Sequence, residues 1–264
     1  MARFAIAQHG ASSDVAVNMA KAVQMVEDAA RQRAKLVCFP EIHLTPFFPK
    51  TRGGNAEAWR MAEDGPEIAT FRDLARRHQI VIISNLYLTG PDGKAYDASP
   101  IIDADGDVLA IARMNQIAQF DGFWEQDYYA PGRGFEVHDT AAGRIGVVIC
   151  FDRHFPESYR AVARAGADIV LTPTCIERDE PLSLFEAEMR ILSFHNSVYS
   201  LLANRCGEEA PRAYAGHSLI CGPQGEVLAR AGRESELLIA DYDLEDRRQI
   251  VRERGFLDAK LTIS

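Results

Sequence analysis

The sequence predicts a single α/β domain, and three observations carry that prediction. Stretches with helical apolar spacing alternate with short β-branched runs from one end of the chain to the other. Several of those runs are apolar throughout, which suits strands buried on both faces of a sheet. No internal stretch rich in Pro, Gly or Ser and no low-complexity tract divides the 264 residues. One domain over 1–264 is therefore expected, with a core of about 2–243 and a C-terminal helix and tail over 244–264.

Bulk properties narrow the function. Apolar residues at 47% allow a sizeable core, and the net charge of −9 leaves no basic surface for nucleic acid. No run approaches the roughly 20 apolar residues needed to span a membrane. Residues 1–9 are too short and too polar for a signal peptide and read as a first strand. Five cysteines, at 38, 150, 175, 206 and 221, show no CxxC and no Cys/His cluster with zinc spacing. Reduced thiols, a cytoplasmic setting and no metal or cofactor are expected.

The elements follow in order. Ser12-Ser13-Asp14 is a helix start, and Val15, Met19, Ala22, Val23, Val26 and Ala30 continue it at helical spacing. Leu36-Val37-Cys38-Phe39 makes a strand ending at Pro40-Glu41, so the first two strands should be parallel. Residues 43–65 read as a long loop, of the kind that is usually functional at a sheet rim. A helix from Pro66 turns Ile68, Phe71 and Leu74 inward, and a strand is expected over 80–88. Strands over 99–103 and 108–112 flank Asp105-Gly106, a hairpin signal. Residues 113–134 are irregular and aromatic-rich. Beyond them the pattern predicts a helix over 157–165, a strand over 168–171, a long helix over 182–196 and a strand over 198–203. Strands near 218–220, 226–229 and 237–241 and a charged helix over 244–253 complete the chain.

The stretch Gly143-Arg144-Ile145-Gly146-Val147-Val148-Ile149-Cys150-Phe151-Asp152-Arg153-His154-Phe155-Pro156-Glu157 organises the rest. An apolar run meets a cysteine and a polar turn, and Pro156-Glu157 suits the first turn of a helix. Cys150 thus sits where a strand hands over to a helix, at the rim of a rigid sheet and among unpaired N–H groups. Two readings fit: a nucleophile placed to generate an oxyanion, or a small core hydrophobe. Glu41 also ends a core strand, either as a general base with a pKa raised by burial or as a solvated loop carboxylate. Glu125, in Gly122-Phe123-Trp124-Glu125, offers a second carboxylate. His154 is either a partner for the thiol or a surface side chain. Cys175 and His195 either line a pocket or are simply packed.

Several of these segments together resemble the nitrilase superfamily of carbon–nitrogen hydrolases. They are Phe39-Pro40-Glu41, the 122–132 segment with Tyr128-Tyr129-Ala130-Pro131-Gly132, the 146–157 block, and Ala203-Asn204-Arg205 with Gly207 and Glu209. The resemblance runs from about residue 2 to 243 and is closest to amidase and N-carbamoyl amidohydrolase branches. It implies an α-β-β-α sandwich that pairs into a homodimer or higher homo-oligomer. It also implies Glu41 as general base, Cys150 as the nucleophile of a thioester intermediate, and Glu125 as the glutamate that positions substrate. Phe151, whose N–H would serve the oxyanion, Trp124 and Cys175 are expected at the substrate.

The family lysine is missing. Aligned from the Asp105-Gly106 turn through Arg113, its place is held by Met114, and none of the five lysines (21, 35, 50, 94 and 260) lies within ten residues. Extended periodicity would turn Arg113 and Asn115 to the opposite face. A thioether neither donates a hydrogen bond nor carries charge, so the oxyanion would lose its cation. The leading expectation is a hydrolase of a small linear amide or N-carbamoyl compound. The alternative is a silent family member, by nature or by design, that binds a small molecule or a partner subunit. His195 stands before Asn196 where many relatives carry glutamate, and Phe256-Leu257-Asp258-Ala259 lacks the usual Arg-Arg-Pro end.

Overall fold

Two β-sheets face each other through one apolar layer, and each carries helices on its outer side. The computed structural model describes residues 1–257; the expected tail from 258 onward, with Asp258, Ala259 and Lys260, lies outside them. The first sheet takes β1 (Ala2–Gln8), β2 (Leu36–Cys38), β3 (Met61–Ala62), β4 (Val81–Ile83), β5 (Leu86–Thr89), β6 (Ala95–Ile102) and β7 (Val108–Arg113). The second takes β8 (Val137–Thr140), β9 (Gly143–Val147), β10 (Ile169–Thr174) and β11 (Tyr199–Asn204). A separate hairpin, β12 (Cys206–Glu209) and β13 (Arg212–Ala215), precedes β14 (Leu219–Cys221) and β15 (Val227–Arg230), which return to the second sheet. The last strand, β16 (Glu236–Tyr242), crosses back to pair with β1. The orders are β16-β1-β2-β4-β6-β5-β3, with β7 on β6, and β15-β14-β11-β10-β9-β8.

The helices form where capping chemistry and apolar spacing agree. In α1 (Val15–Arg31) the Asp14 carboxylate accepts from the N–H groups of Ala16 and Val17. Both α2 (Pro66–His78) and α3 (Pro156–Arg164) start on a proline, whose missing N–H costs nothing in a first turn. Next comes α4 (Leu182–Asn196), and Asp243 caps α5 (Leu244–Arg254). Val26, Ile68 and Phe71 pack with Val37 and Ile82 between α1, α2 and the first sheet. Tyr159, Val162 and Met189 pack with Val170 and Leu202 between α3, α4 and the second. Phe4, Ile6, Ile83, Ile145, Leu171 and Leu201 fill the layer between the sheets. This is the expected α-β-β-α sandwich, and β1 and β2 are parallel as the sequence requires.

One local expectation changes, and the structure adds strands that the sequence pattern does not show. The strand expected over 80–88 is broken at Ser84-Asn85 into β4 and β5. There the side chains bond instead of the ladder: Asn85 accepts from the Ile42 N–H at 2.6 Å and donates to Asp97 and Ser99, while Ser84 meets His43 at 2.8 Å. The hairpin β12–β13 shows no strand pattern in the sequence because Gly207 and Pro211 interrupt it, and such residues belong to strand margins. Strand β8 hides behind its polar composition, Val-His-Asp-Thr, at a sheet edge.

Strands β2, β9, β10 and β11 all run the same way within their sheets, so their C-terminal ends gather at one rim of the sandwich. The rim carries Glu41, Cys150, Cys175 and Arg205 just beyond those four strands. Close packing fixes β9: a Cβ on Gly146 would lie 2.7 Å from Val162 Cβ on α3. Gly146→Ala should therefore lower stability by about 1–3 kcal/mol through overpacking, read by denaturant titration. Paired with Val162→Gly, which removes that Cβ, it should cost less than the sum of the two single losses, and strictly additive losses would contradict the packing account.

Candidate active site

Cys150 follows the extended Val148-Ile149 segment and opens a short 3-10 turn ahead of α3. Its φ is +41°, and that of Ile42, the residue after Glu41, is +48°. Left-handed backbone is costly for such residues and persists only where surrounding bonds enforce it. Here they do. The Ile42 N–H is held by Asn85, and the carbonyls of Glu41 and Ile42 both accept from Arg205 Nη1, at 2.8 and 2.7 Å. Arg205, fully buried, also donates to Thr45 O and pairs with Glu209. On the other side Arg153 Nη1 donates to Cys150 O at 2.9 Å and to Thr174 Oγ1 at 3.0 Å. The Thr174 hydroxyl in turn donates to Cys150 Sγ at 3.4 Å.

The fold brings Glu41, Glu125 and Cys150 together, with ligand-type atoms all within 4.8 Å of one another. Met114 is also fully buried and packs in the same cluster as Cys150. Its backbone is fixed from both sides: its N–H donates to Asp97 O at 3.0 Å, and its carbonyl accepts from Gly132. The Asp152 carboxylate accepts from the N–H groups of Asn115 and Gln116, tying this segment to the Cys150 turn. Arg113 does turn away, to Glu63 at 2.6 Å and over the Tyr96 ring. Asn115 caps Gly134 N–H and bonds Arg113 O.

Asp97 is the member that the sequence reading missed. It lies on β6, buried, facing Glu41 closely enough to share a proton, with its other oxygen held by Asn85 at 2.6 Å. The signal was an aspartate inside an otherwise apolar strand, where that residue is disfavoured. Tyr129 also faces the three carboxyls with a buried hydroxyl that finds no partner among the described residues.

Burial dominates the electrostatics. It pushes the Glu41 carboxyl well above its usual range, with the charges of Cys150, Asp97 and Glu125 adding to the effect. Burial and then the Asp97 charge do the same to Glu125, although Glu125 Oε2 accepts from the Ala118 N–H at 3.1 Å. Asp97 is pushed up to about 6 by burial, against its bonds to Glu41 and Asn85. The Cys150 thiol is raised first by burial and then by the Glu125 charge, with Arg153 opposing. Lys21, Lys35, Lys50 and Lys94 make no bond or ion pair with this cluster; Lys50 is engaged by Glu209 at 3.5 Å. Two carboxylates and a thiol are a donor set that zinc accepts, though their wide sequence spacing hides it from motif reading.

A small cavity of about 40 Å³ opens in front of Cys150, lined by Ala118, Phe123, Glu125, Phe151, Cys175 and Ile176 among others. Phe151 and Cys175 are therefore at the pocket. Trp124 is not among its lining residues: it lies under Arg52, and its neighbour Phe123 faces the cavity instead. His154 lines the mouth and bonds Glu188 Oε1 at 2.7 Å rather than the thiol. His195 is exposed on α4 and lines nothing here.

A sequence profile described as carbon–nitrogen hydrolase matches residues 3–252. The chain belongs to that family. It is 32% identical over 255 residues to the N-carbamoylputrescine amidase of Arabidopsis thaliana, covering 90% of this chain and 85% of that one. The crystal structure of a carbon–nitrogen hydrolase from Helicobacter pylori G27 superposes with a TM-score of 0.90 at 25% identity, over 98% of this chain and 95% of that chain. An amidase from Nesterenkonia sp. AN1, in a mutant form, carries acrylamide added to its active-site cysteine; it superposes with a TM-score of 0.79 at 26% identity, over 97% of this chain and 100% of that chain. The nitrilase-superfamily fold is thus common ground among these proteins.

The thiol of this family member should alkylate slowly at neutral pH. Only the thiolate reacts, and a raised pKa leaves little of it, so iodoacetamide labelling of Cys150 should climb about tenfold per pH unit from 7 to 9. Glu125→Gln removes a charge that raises that pKa and should quicken labelling at pH 7. Peptide mass spectrometry with Cys150→Ala as blank reads both; rapid labelling independent of pH would show a thiolate already formed.

Proposed function

We propose that this chain is an amidase-type hydrolase that cleaves the carbon–nitrogen bond of a small linear amide or N-carbamoyl compound through a thioester on Cys150. The observation that carries the reading is the meeting of Glu41, Glu125 and Cys150 within 4.8 Å at the strand rim. Glu41 takes the thiol proton as sulfur attacks, returns it to the leaving amine, and then activates water on the thioester. Its raised pKa suits a group that must both accept and donate near neutrality. Glu125 orients the substrate nitrogen, and Phe151 and Cys175 shape the acyl side. The acrylamide adduct of the Nesterenkonia amidase and the carbamoyl substrate in the name of the Arabidopsis relative both support this chemistry.

Met114 sets the rate on neutral amides. Among the described residues no cationic donor is free for the oxyanion, since Arg153 is committed to Cys150 O, Thr174 and Glu188. Met114→Lys should fit the same channel, the two side chains having similar unbranched stems, and the facing carboxyls should keep its ammonium charged. Ammonia release from short amides and N-carbamoyl amino acids should rise roughly a hundred- to a thousandfold. A folded variant that binds these compounds and releases no ammonia would favour the silent binding role instead.

The outer face of α3 and α4 leaves Phe155, Leu184, Ile191 and Phe194 exposed, beside Phe256. A second copy of the chain would cover this apolar strip, giving a homodimer or larger assembly. Sedimentation at micromolar concentration should show a species above 29.3 kDa, and monomer alone would refute the pairing.

A further inference from the structure

The site has an unusual electrostatic balance. Three buried carboxyls, Glu41, Asp97 and Glu125, converge beside the Cys150 thiol. Apart from protons shared within the cluster, no donor among the described residues reaches Glu41 Oε1, Glu41 Oε2, Glu125 Oε1 or Asp97 Oδ2. Glu41 lies within hydrogen-bond reach of both Asp97 and the Cys150 thiol, so the cluster is joined by shared protons and takes no bond from a cationic side chain among the described residues. The Tyr129 hydroxyl, equally buried and unpartnered, faces the same space. The nearby guanidiniums of Arg153 and Arg205 are turned to carbonyls and to Glu188 and Glu209.

Attack on a neutral amide places a negative oxygen in this surround, which is the wrong sign for catalysis. Attack on a cation reverses the problem. We propose that the site takes a small amidinium, an R–C(NH2)2+ head group, as its electrophile and converts it to the carboxamide and ammonium. An amidinium presents four N–H donors in a planar fork, a geometry that matches carboxylate oxygens. The cation supplies the positive charge that Met114 does not. A small cavity of about 40 Å³, walled by Phe123, Phe151 and Ile176, favours a small R. The inference rests on the thiol chemistry of the proposed function and extends it from neutral to cationic substrates.

The step balances without a further reactant. Glu41 takes the Cys150 proton, and the sulfur forms a bond to the amidinium carbon, so anion and cation combine into a neutral diamino adduct with no oxyanion. The Glu41 carboxyl then protonates one amino group, the C–N bond breaks, ammonia leaves, and a cationic thioimidate remains on sulfur. Water adds to that carbon as Glu41 takes its proton. The C–S bond then breaks, the proton returns to sulfur, and the protonated amide loses its proton to solvent. The sum is amidinium plus water giving carboxamide plus ammonium.

The test compares acetamidine with acetamide on the unaltered protein, reading ammonia release, carboxamide formation and the mass of the Cys150 adduct. Acetamidine should be preferred in kcat/KM by roughly tenfold or more, the least that one desolvated charge pair confers. Asp97→Asn should weaken acetamidine binding more than acetamide binding, seen as the larger fall in ligand-induced rise of Tm; an equal fall for both would overturn the charge-pairing account. Met114→Lys should reverse the preference, because its ammonium repels the amidinium and serves the oxyanion. A preference for acetamide in the unaltered protein overturns the inference, and an acetamide-derived thioester then leaves the proposed function standing. No adduct from either compound overturns both.

Discussion

The Arg205 guanidinium is the joint on which this rim depends. It leaves the end of β11 in one sheet and is fully buried, and it holds the carbonyls of Glu41, Ile42 and Thr45 beyond β2 in the other. A β-branched residue such as Ile42 would not stay at positive φ without that hold. The Glu41 carboxyl is thereby aimed by main-chain bonds, which leaves its oxygens to face Asp97 and the Cys150 thiol. Glu209 balances the buried charge, and its own second oxygen takes the Phe47 N–H. One arginine thus joins the two sheets, bends the chain after β2 and fixes the direction of a carboxylate. A buried ion pair of this kind is poor evidence of stability, but it specifies geometry.

Much of this was legible in the sequence, because periodicity and strand-end chemistry are local. The β1–α1–β2 order, the Asp105-Gly106 hairpin, the 182–196 helix and the placement of Glu41 and Cys150 after core strands follow from residue patterns and appear in the structure, whereas Met114 was singled out only by the family resemblance. The gaps have physical causes. Ser84-Asn85 breaks a strand because its side chains bond across the fold, which no local pattern reveals. Asp97 escaped notice because a lone aspartate in a strand gains meaning only when Glu41 faces it. Trp124 and Phe123 differ by one residue in an irregular loop, where no period tells which of them turns inward.

Carboxylate crowding and the missing cation are two sides of one condition. A buried acid with no counter-charge takes up a proton, and the raised pKa values of Glu41, Glu125 and Asp97 show that tendency. The site is thus a store of shared protons, and whatever enters it sets how many of those protons remain.

The main chain around residue 114 is held by Asp97 O, by the Gly132 N–H and by Asp152 through its two neighbours. None of those bonds involves the Met114 side chain. The position is a socket whose geometry does not depend on its occupant. The methionine codon and one lysine codon differ at a single base, so one nucleotide change places an ammonium at the centre of this rim. The charge preference of the whole site therefore turns on a mutation that needs no accompanying change in the scaffold, and two opposite specificities lie next to each other in sequence space.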